Sequence, residues 1–452
     1  MKIFNILDYG AKVCDRNQRD AIQAALDDCF LQGGGRVVIP SGVFLTGGLR
    51  LRSNTELYLE SGAILKGSLD PEDYLAFWED QIEPVVAEPI GDTPKTRPSS
   101  VATSRWCNAL IRALDAENIA VVGEIGSFFD GSNVFDEMGE EHYRGPHGMS
   151  FWRCRGIRLE GYSFLNSSNW CHAIFQSRDI TVREIKVYGG HDGVDVRTCD
   201  NVLLENCTFL VGDDAVAGFD NHDVTVQNCI LDSACHALRF GGNNVRVANC
   251  RSHEAPLPFG FRGKMEEEAK RANRLTGAND RHEMTAPFSY YCDYRADLRK
   301  PAEQIVIENC HFAEAKELIR LEFDGLHRWC CNRSLRSLSF RDCSIRGLTR
   351  TGMLWGDEKE KVTVSFCNVT VQGKKEREND VLFVAANFDK IIFENVCFEG
   401  YEAPVVYVAD EGEVVVKNCN KPLRIVRATR EECLRLHPYG IHPDDKKRIG
   451  LV

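Results

Sequence analysis

One phrase recurs through the middle of this chain. Val202-x-Leu204-x-Asn206-Cys207, Val224-x-Val226-x-Asn228-Cys229 and Val245-x-Val247-x-Asn249-Cys250 follow one another at steps of 22 and 21 residues, and Ile180-x-Val182 precedes them in phase. A fixed period near 20 residues marks a solenoid in which each repeat is one turn of a coil. Apolar and polar residues alternate within the phrase, so the coil is built from strands. Few helix-length apolar patterns intervene, which favours a β-helix over a leucine-rich horseshoe. The same phase returns at Ile305–Cys310, Leu338–Cys343, Val362–Cys367, Ile391–Val396 and Val414–Cys419.

The period also places chemistry. Asp192, Asp214 and His236 stand 22 residues apart, one on each successive coil, with Asp213 beside Asp214. Equivalent positions of neighbouring coils stack about 4.8 Å apart, so these side chains are expected to form a column on one wall. Closely set carboxylates cannot all ionise easily, and their pKa values are driven apart. One then keeps a proton as an acid while another stays ionised as a base, the pairing that glycoside hydrolysis requires. Taken alone, an Asp-Asp pair is more often a solvated turn, and a lone histidine a satisfied core residue; their shared register argues for the site.

The chain has 452 residues and a net charge of −12. It shows no basic stripe with interleaved aromatics, so no nucleic-acid partner is expected, and no run approaches a membrane span. The start, MKIFNILDYGA, lacks the apolar core of a signal peptide. The 19 cysteines include no C-x-x-C, and many sit at the repeat phase. They read as small, reduced, inward-facing side chains rather than disulfides or zinc ligands, which points to the cytoplasm, with a lost leader as the alternative. The asparagines of the phrase read as hydrogen-bonding along the stack.

Residues 18–31, with Ile22, Ala25, Leu26 and Cys29 at helical spacing, predict a short helix capping the open end of the first coil. The whole of 1–452 reads as one domain. Three stretches break the rhythm, at about 70–105, 127–146 and 264–300, and read as insertions near a substrate groove. The tyrosines at 290, 291 and 294 would stack on a sugar or pin the third insertion to the body. Trp170 reads as core packing. A terminal helix is expected near 429–437.

The opening (FNILDYGA, AIQAALDDC, then GGGRVVIPSGVFLTGGLRLRSNTELYLESGAILKGSLDPEDY) closely resembles family 28 of the glycoside hydrolases, the polygalacturonases and their pectin-cleaving relatives. The resemblance implies an all-β, single-stranded, right-handed parallel β-helix. The family's N-T-D, G-D-D, G-H-G and R-I-K blocks correspond here to Gly190-His191-Asp192, Gly212-Asp213-Asp214, Cys235-His236-Ala237 and Arg262-Gly263-Lys264. By resemblance, Asp213 is the general acid, Asp192 and Asp214 activate water, and His236 keeps Asp213 in its working state. Arg262 and Lys264, placed on the strand before the third insertion, would hold a sugar carboxylate. His191 and Arg239, which depart from the family pattern, are candidate replacement sugar contacts. The expected activity is inverting hydrolysis, exo-acting on uronic-acid-containing oligosaccharides, with no metal or organic cofactor. The rival readings are a lyase or transglycosidase on the same fold, and a β-helix that binds sugar without cleaving it. Oligomeric state leaves no sequence signature.

Overall fold

The computed structural model describes residues 1–14, 16–75, 104–277, 281–292, 299–323, 330 and 333–437. Most of the insertion expected at 70–105, and Tyr294 of the third, lie outside the described residues. The chain packs as two compact units: residues 1–215 with 257–282, and residues 216–256 with 283–452.

The first unit is a stack of coils joined by parallel strands. Gly35–Ile39 pairs with Thr55–Leu59, which pairs with Glu117–Gly123; Arg155–Glu160, Arg178–Arg183 and Asp200–Glu205 continue the series. The register follows the sequence period, with Ile157 opposite Ile180 and Ile180 opposite Val202. Their side chains are all buried, so each coil adds an apolar layer to the one before. A second wall runs through Ala63–Gly67, Phe128–Asp130, Ser163–Leu165, Lys186–Gly189 and Thr208–Val211.

The helix Arg19–Leu31 closes the start of this unit, burying Ile22, Ala25, Leu26 and Cys29 as expected. Its Gln23 also serves a strand edge. The side-chain amide donates to the Arg50 carbonyl at 3.2 Å and accepts from the Arg50 N–H at 2.9 Å. These two bonds satisfy an edge that would otherwise invite another chain.

The second unit repeats the pattern. Val216–Gln227 pairs with His236–Ala248, which pairs with Glu303–Glu308, and the coils run on to Glu413–Lys417. Phe340, Phe366 and Phe393 stack in its interior at 5.2 Å between centroids. The helix Arg430–Leu436, capped by Thr429 and Glu432, packs Cys433 and Leu434 against Met353, Trp355 and Val384.

The repeat asparagines do two things. Asn206, Asn228, Asn249 and Asn309 all have positive φ, between 48° and 55°. This is the left-handed region in which asparagine, with its short polar side chain, costs less than most residues. They also bond along the stack: Asn249 donates to Asn228 at 3.2 Å, and Asn309 to Asn249 at 2.6 Å. Cys207, Cys229, Cys250, Cys310 and Cys343 are buried and unbridged, and each thiol bonds back to the carbonyl two residues before it.

The third insertion begins and ends earlier than its composition suggests. Ala286–Tyr290 is a coil strand, paired with His236–Ala248, so the excursion occupies 252–285 within one coil. Arg262–Lys264 is a short 3₁₀ turn inside it, not the strand before it. Among the described residues, no helix is long and apolar enough to cross a membrane.

Candidate active site

The first unit brings three carboxylates together. Asp192 and Asp214 lie at the same position of successive coils, and the Gly193 N–H donates to the Asp214 carbonyl at 3.0 Å. The Asp214 N–H in turn donates to the Asp192 carboxylate at 3.1 Å. One oxygen from each of Asp192, Asp213 and Asp214 lies within 4.8 Å of the other two. Asp192 and Asp214 are 4% and 1% exposed, whereas the Asp213 side chain is 17% exposed. Asp213 is therefore the member that reaches a ligand most readily.

Burial raises the Asp192 pKa well above the usual carboxylate value, and the charges of Asp213 and Asp214 push in the same direction. Like charges set this close resist ionising all together. Its nearest oxygens are closer than the roughly 6.5–9.5 Å that separates carboxyls with a water in line between them. Three carboxylates at this spacing would also suit a hard cation.

The glycines of the two aspartate blocks have a steric cause. A Cβ on Gly212 would lie 2.5 Å from the Gly260 carbonyl oxygen and 2.8 Å from that of Gly190. A Cβ on Gly190 would lie 2.8 Å from the Arg262 Cβ. The loop 257–264 closes onto both glycines, so the Gly190 that stands where the related block has asparagine admits Arg262 at close range.

Arg262 is fully buried. Its guanidinium donates to the backbone carbonyls of Asn133, Val134, Ser168 and Lys270. Burial lowers it to about 10, which leaves it charged at neutral pH. The expectation that Arg262 holds a sugar carboxylate is corrected on this ground: the side chain is fully buried, and its two Nη groups tie three segments of the chain. Lys264 is exposed on the same turn.

His191 is also sealed. Its Nδ1 lies 3.3 Å from the Arg144 guanidinium, which can only donate, so the ring proton sits on Nε2. Burial holds its pKa well below the ordinary value, and Arg144 adds to this, so the imidazole is neutral. It packs near Tyr143 and Phe261. With 1% exposure it supports the wall and does not itself meet a sugar.

Two arginines whose charges act on the aspartates stand outside the sequence motifs. Arg144, on the second insertion, bonds Asn169 at 3.1 Å and Glu141 at 3.0 Å, and its charge favours the ionised forms of Asp192 and Asp213. Arg281 reaches within 3.8 Å of Asp213. Neither lies at a coil-phase position, and only the basic side chain itself was visible in the sequence.

The other expected site residues belong to the second unit. His236 opens the strand His236–Ala248 opposite Ala286, buried, with its Nδ1 3.2 Å from the Cys235 thiol. Arg239 lies 4.1 Å above the Tyr291 ring, and the Tyr290 hydroxyl donates to the Arg333 carbonyl at 2.6 Å. These two tyrosines pin the chain to its own body. In the first unit, Trp170 packs with Trp152, Ala173 and Phe175, with Arg197 stacked 4.4 Å from its ring centre.

The family description "Right handed beta helix region" matches residues 119–255. A probable polygalacturonase of Vitis vinifera is 25% identical over 205 residues, covering 43% of this chain and 39% of that protein. An exo-poly-alpha-D-galacturonosidase of Dickeya chrysanthemi is 25% identical over 251 residues, covering 48% and 41%. The chain is similar in sequence to polygalacturonases. Its match spans about two fifths of the length of those curated relatives. Among solved structures, a hyperthermoactive exopolygalacturonase from Thermotoga maritima superposes with a TM-score of 0.65 at 21% identity, covering 88% of this chain and 92% of that one. A family 28 exopolygalacturonase of Yersinia enterocolitica gives 0.60 at 16%, covering 92% and 78%. These likenesses establish the right-handed parallel β-helix.

Proposed function

We propose that this protein is an inverting glycoside hydrolase, exo-acting on uronic-acid-containing oligosaccharides of the pectin type. The observation that carries the reading is the sealed column of Asp192 and Asp214 with the partly exposed Asp213 at its mouth. Asp213 donates a proton to the glycosidic oxygen as the bond to the anomeric carbon breaks. Asp192 and Asp214 hold the attacking water on the groove side and share the proton it gives up. Because the carboxylates lie too close for a water between them, that water sits beside the column. The same closeness favours a second reading, retention through a carboxylate nucleophile, for which separations of about 5–5.5 Å are usual. The exopolygalacturonases among the relatives support exo action.

The test is incubation with a panel of short pectic oligosaccharides, with product anomers followed by NMR in the first minutes and Asp213→Asn run in parallel. A monosaccharide released with inverted configuration, and lost in the variant, supports the proposal. A retained product supports the nucleophile reading. An unsaturated, ultraviolet-absorbing product that disappears with EDTA identifies a lyase. Sugar binding without cleavage, unchanged in Asp213→Asn, identifies a binding protein.

A further inference from the structure

The turn that carries Asp192 is clamped to the turn before it by a residue from outside the coils. Arg144 stands on the second insertion, bridged antiparallel to Phe135 and Glu140. Its Nη1 donates to the Asn169 side-chain oxygen at 3.1 Å and lies 3.3 Å from His191 Nδ1. Asn169 and His191 precede coil strands that pair with each other, His172 opposite Val194. The Cys171 N–H donates to the Asp192 carbonyl at 2.9 Å between the same two turns. One guanidinium nitrogen therefore spans both turns beside the backbone bond that joins them. The rest of Arg144 is held in place, with Nε on Glu141 at 3.0 Å and the Tyr143 and Phe261 ring centres each 5.6 Å from Cζ. Asn169 is fixed in turn, accepting from the Trp170 N–H at 3.0 Å and donating to Glu140 at 3.1 Å.

His191 completes the clamp. A guanidinium has no acceptor, so the ring meets it as the neutral form with its proton on Nε2. That Nε2–H is buried and has no partner. The fold leaves one donor unmet while Nδ1 stays on Arg144.

We propose that Arg144, acting through His191, is a positioning residue for Asp192. The inference rests on the hydrolase reading above, in which Asp192 helps to activate the water. The Asp214 N–H fixes the Asp192 carboxylate at 3.1 Å, and the clamp fixes the backbone from which it projects. The charges act in the same sense. Asp213, Asp214 and Asp195 disfavour an ionised Asp192, and Arg144 opposes them. Arg144 itself faces Glu140, Glu141, Asp213 and Tyr143, and His191 faces Arg144, Arg262 and His147. A base must be ionised to take a proton from water, so a cation held here favours the working form.

The experiment uses Arg144→Met, Arg144→Lys, His191→Leu and His191→Asn, with calorimetry to confirm that each is folded. Asn at 191 keeps a side-chain oxygen that can accept from Arg144. On a short galacturonide, Arg144→Met is expected to lose about 10- to 100-fold in kcat/KM, the effect of a small misplacement at the reacting centre. The acid limb of its pH profile moves to higher pH, because the cation that favoured ionised Asp192 is gone. His191→Leu loses rate with a smaller movement of the limb, and Arg144→Lys and His191→Asn recover part of each loss. An unchanged rate in Arg144→Met, or a loss with the acid limb unmoved, overturns the proposal. A second arm needs no turnover. In ¹⁵N-histidine-labelled protein, the His191 ring, assigned by its absence from His191→Asn, is expected as a single Nε2-protonated tautomer that does not titrate through neutral pH. Arg144→Met should mix the tautomers. A His191 signal untouched by Arg144→Met overturns the clamp whatever the rates do. A wild type that cleaves no galacturonide removes the hydrolase reading, and the ring signal then decides the clamp alone.

Discussion

Arg262 separates a structural account of the 257–264 loop from a ligand-binding one. Replacing it with alanine removes a guanidinium that donates to four backbone carbonyls on three segments, those at Asn133 and Val134, Ser168, and Lys270. Removing a buried, hydrogen-bonded charge whose partners stay behind costs about 3–5 kcal/mol. Part of this is recovered because a buried guanidinium is itself poorly solvated, as its lowered pKa of about 10 shows. A net loss of about 3 kcal/mol corresponds to a fall in melting temperature of roughly 6–12 °C for a unit of this size. The assay is differential scanning calorimetry combined with limited proteolysis, in which new cleavage is expected between 252 and 285 as the loop detaches. A melting temperature within about 2 °C of wild type, with only a raised KM on the substrate, would refute the reasoning and return Arg262 to sugar binding.

Burial and like charge raise the Asp192 pKa in the folded state, so the proton is bound more tightly folded than unfolded, and stability falls as pH rises from the unfolded value near ~4. Asp192→Asn cannot ionise and still accepts from the Asp214 N–H; it should melt higher than wild type at pH 7, match it near pH 3, and be inactive. A lower melting temperature at pH 7 would count against the sealed, proton-sharing column. Asn249→Ala loses the bonds to Asn228 and from Asn309 and places alanine at φ 55°; about 1–2 kcal/mol should be lost in urea titration, with Asn249→Gly losing less. Equal losses for alanine and glycine would remove the backbone argument.

The period of the repeat predicts the register well, because in a coil each apolar position must meet its counterpart one turn on. Val224 opposite Val245, and Val245 opposite Ile305, follow from phase alone, even though the second step crosses a 60-residue gap. The same rule brings Asp192 and Asp214 together. It is silent about residues on excursions, whose positions depend on how the loop folds back. Arg144 and Arg281 reach the aspartates from such loops and have no phase to betray them. Arg262 was visible as a motif, but its burial depends on the glycines at 190 and 212 across the gap. His191 likewise stands at a motif position, but Arg144, Tyr143 and Phe261 enclose it.

The central claim is that Asp213 is the acid that protonates the leaving group. It is tested most directly by measuring kcat/KM of Asp213→Asn on two substrates of differing leaving group: a galacturonide dimer and a galacturonide of an acidic phenol, which departs without help. The account predicts a loss of about 10²–10⁴-fold on the dimer and a far smaller loss on the phenyl glycoside, while Asp214→Asn loses heavily on both. Equal losses on the two substrates for Asp213→Asn would contradict it.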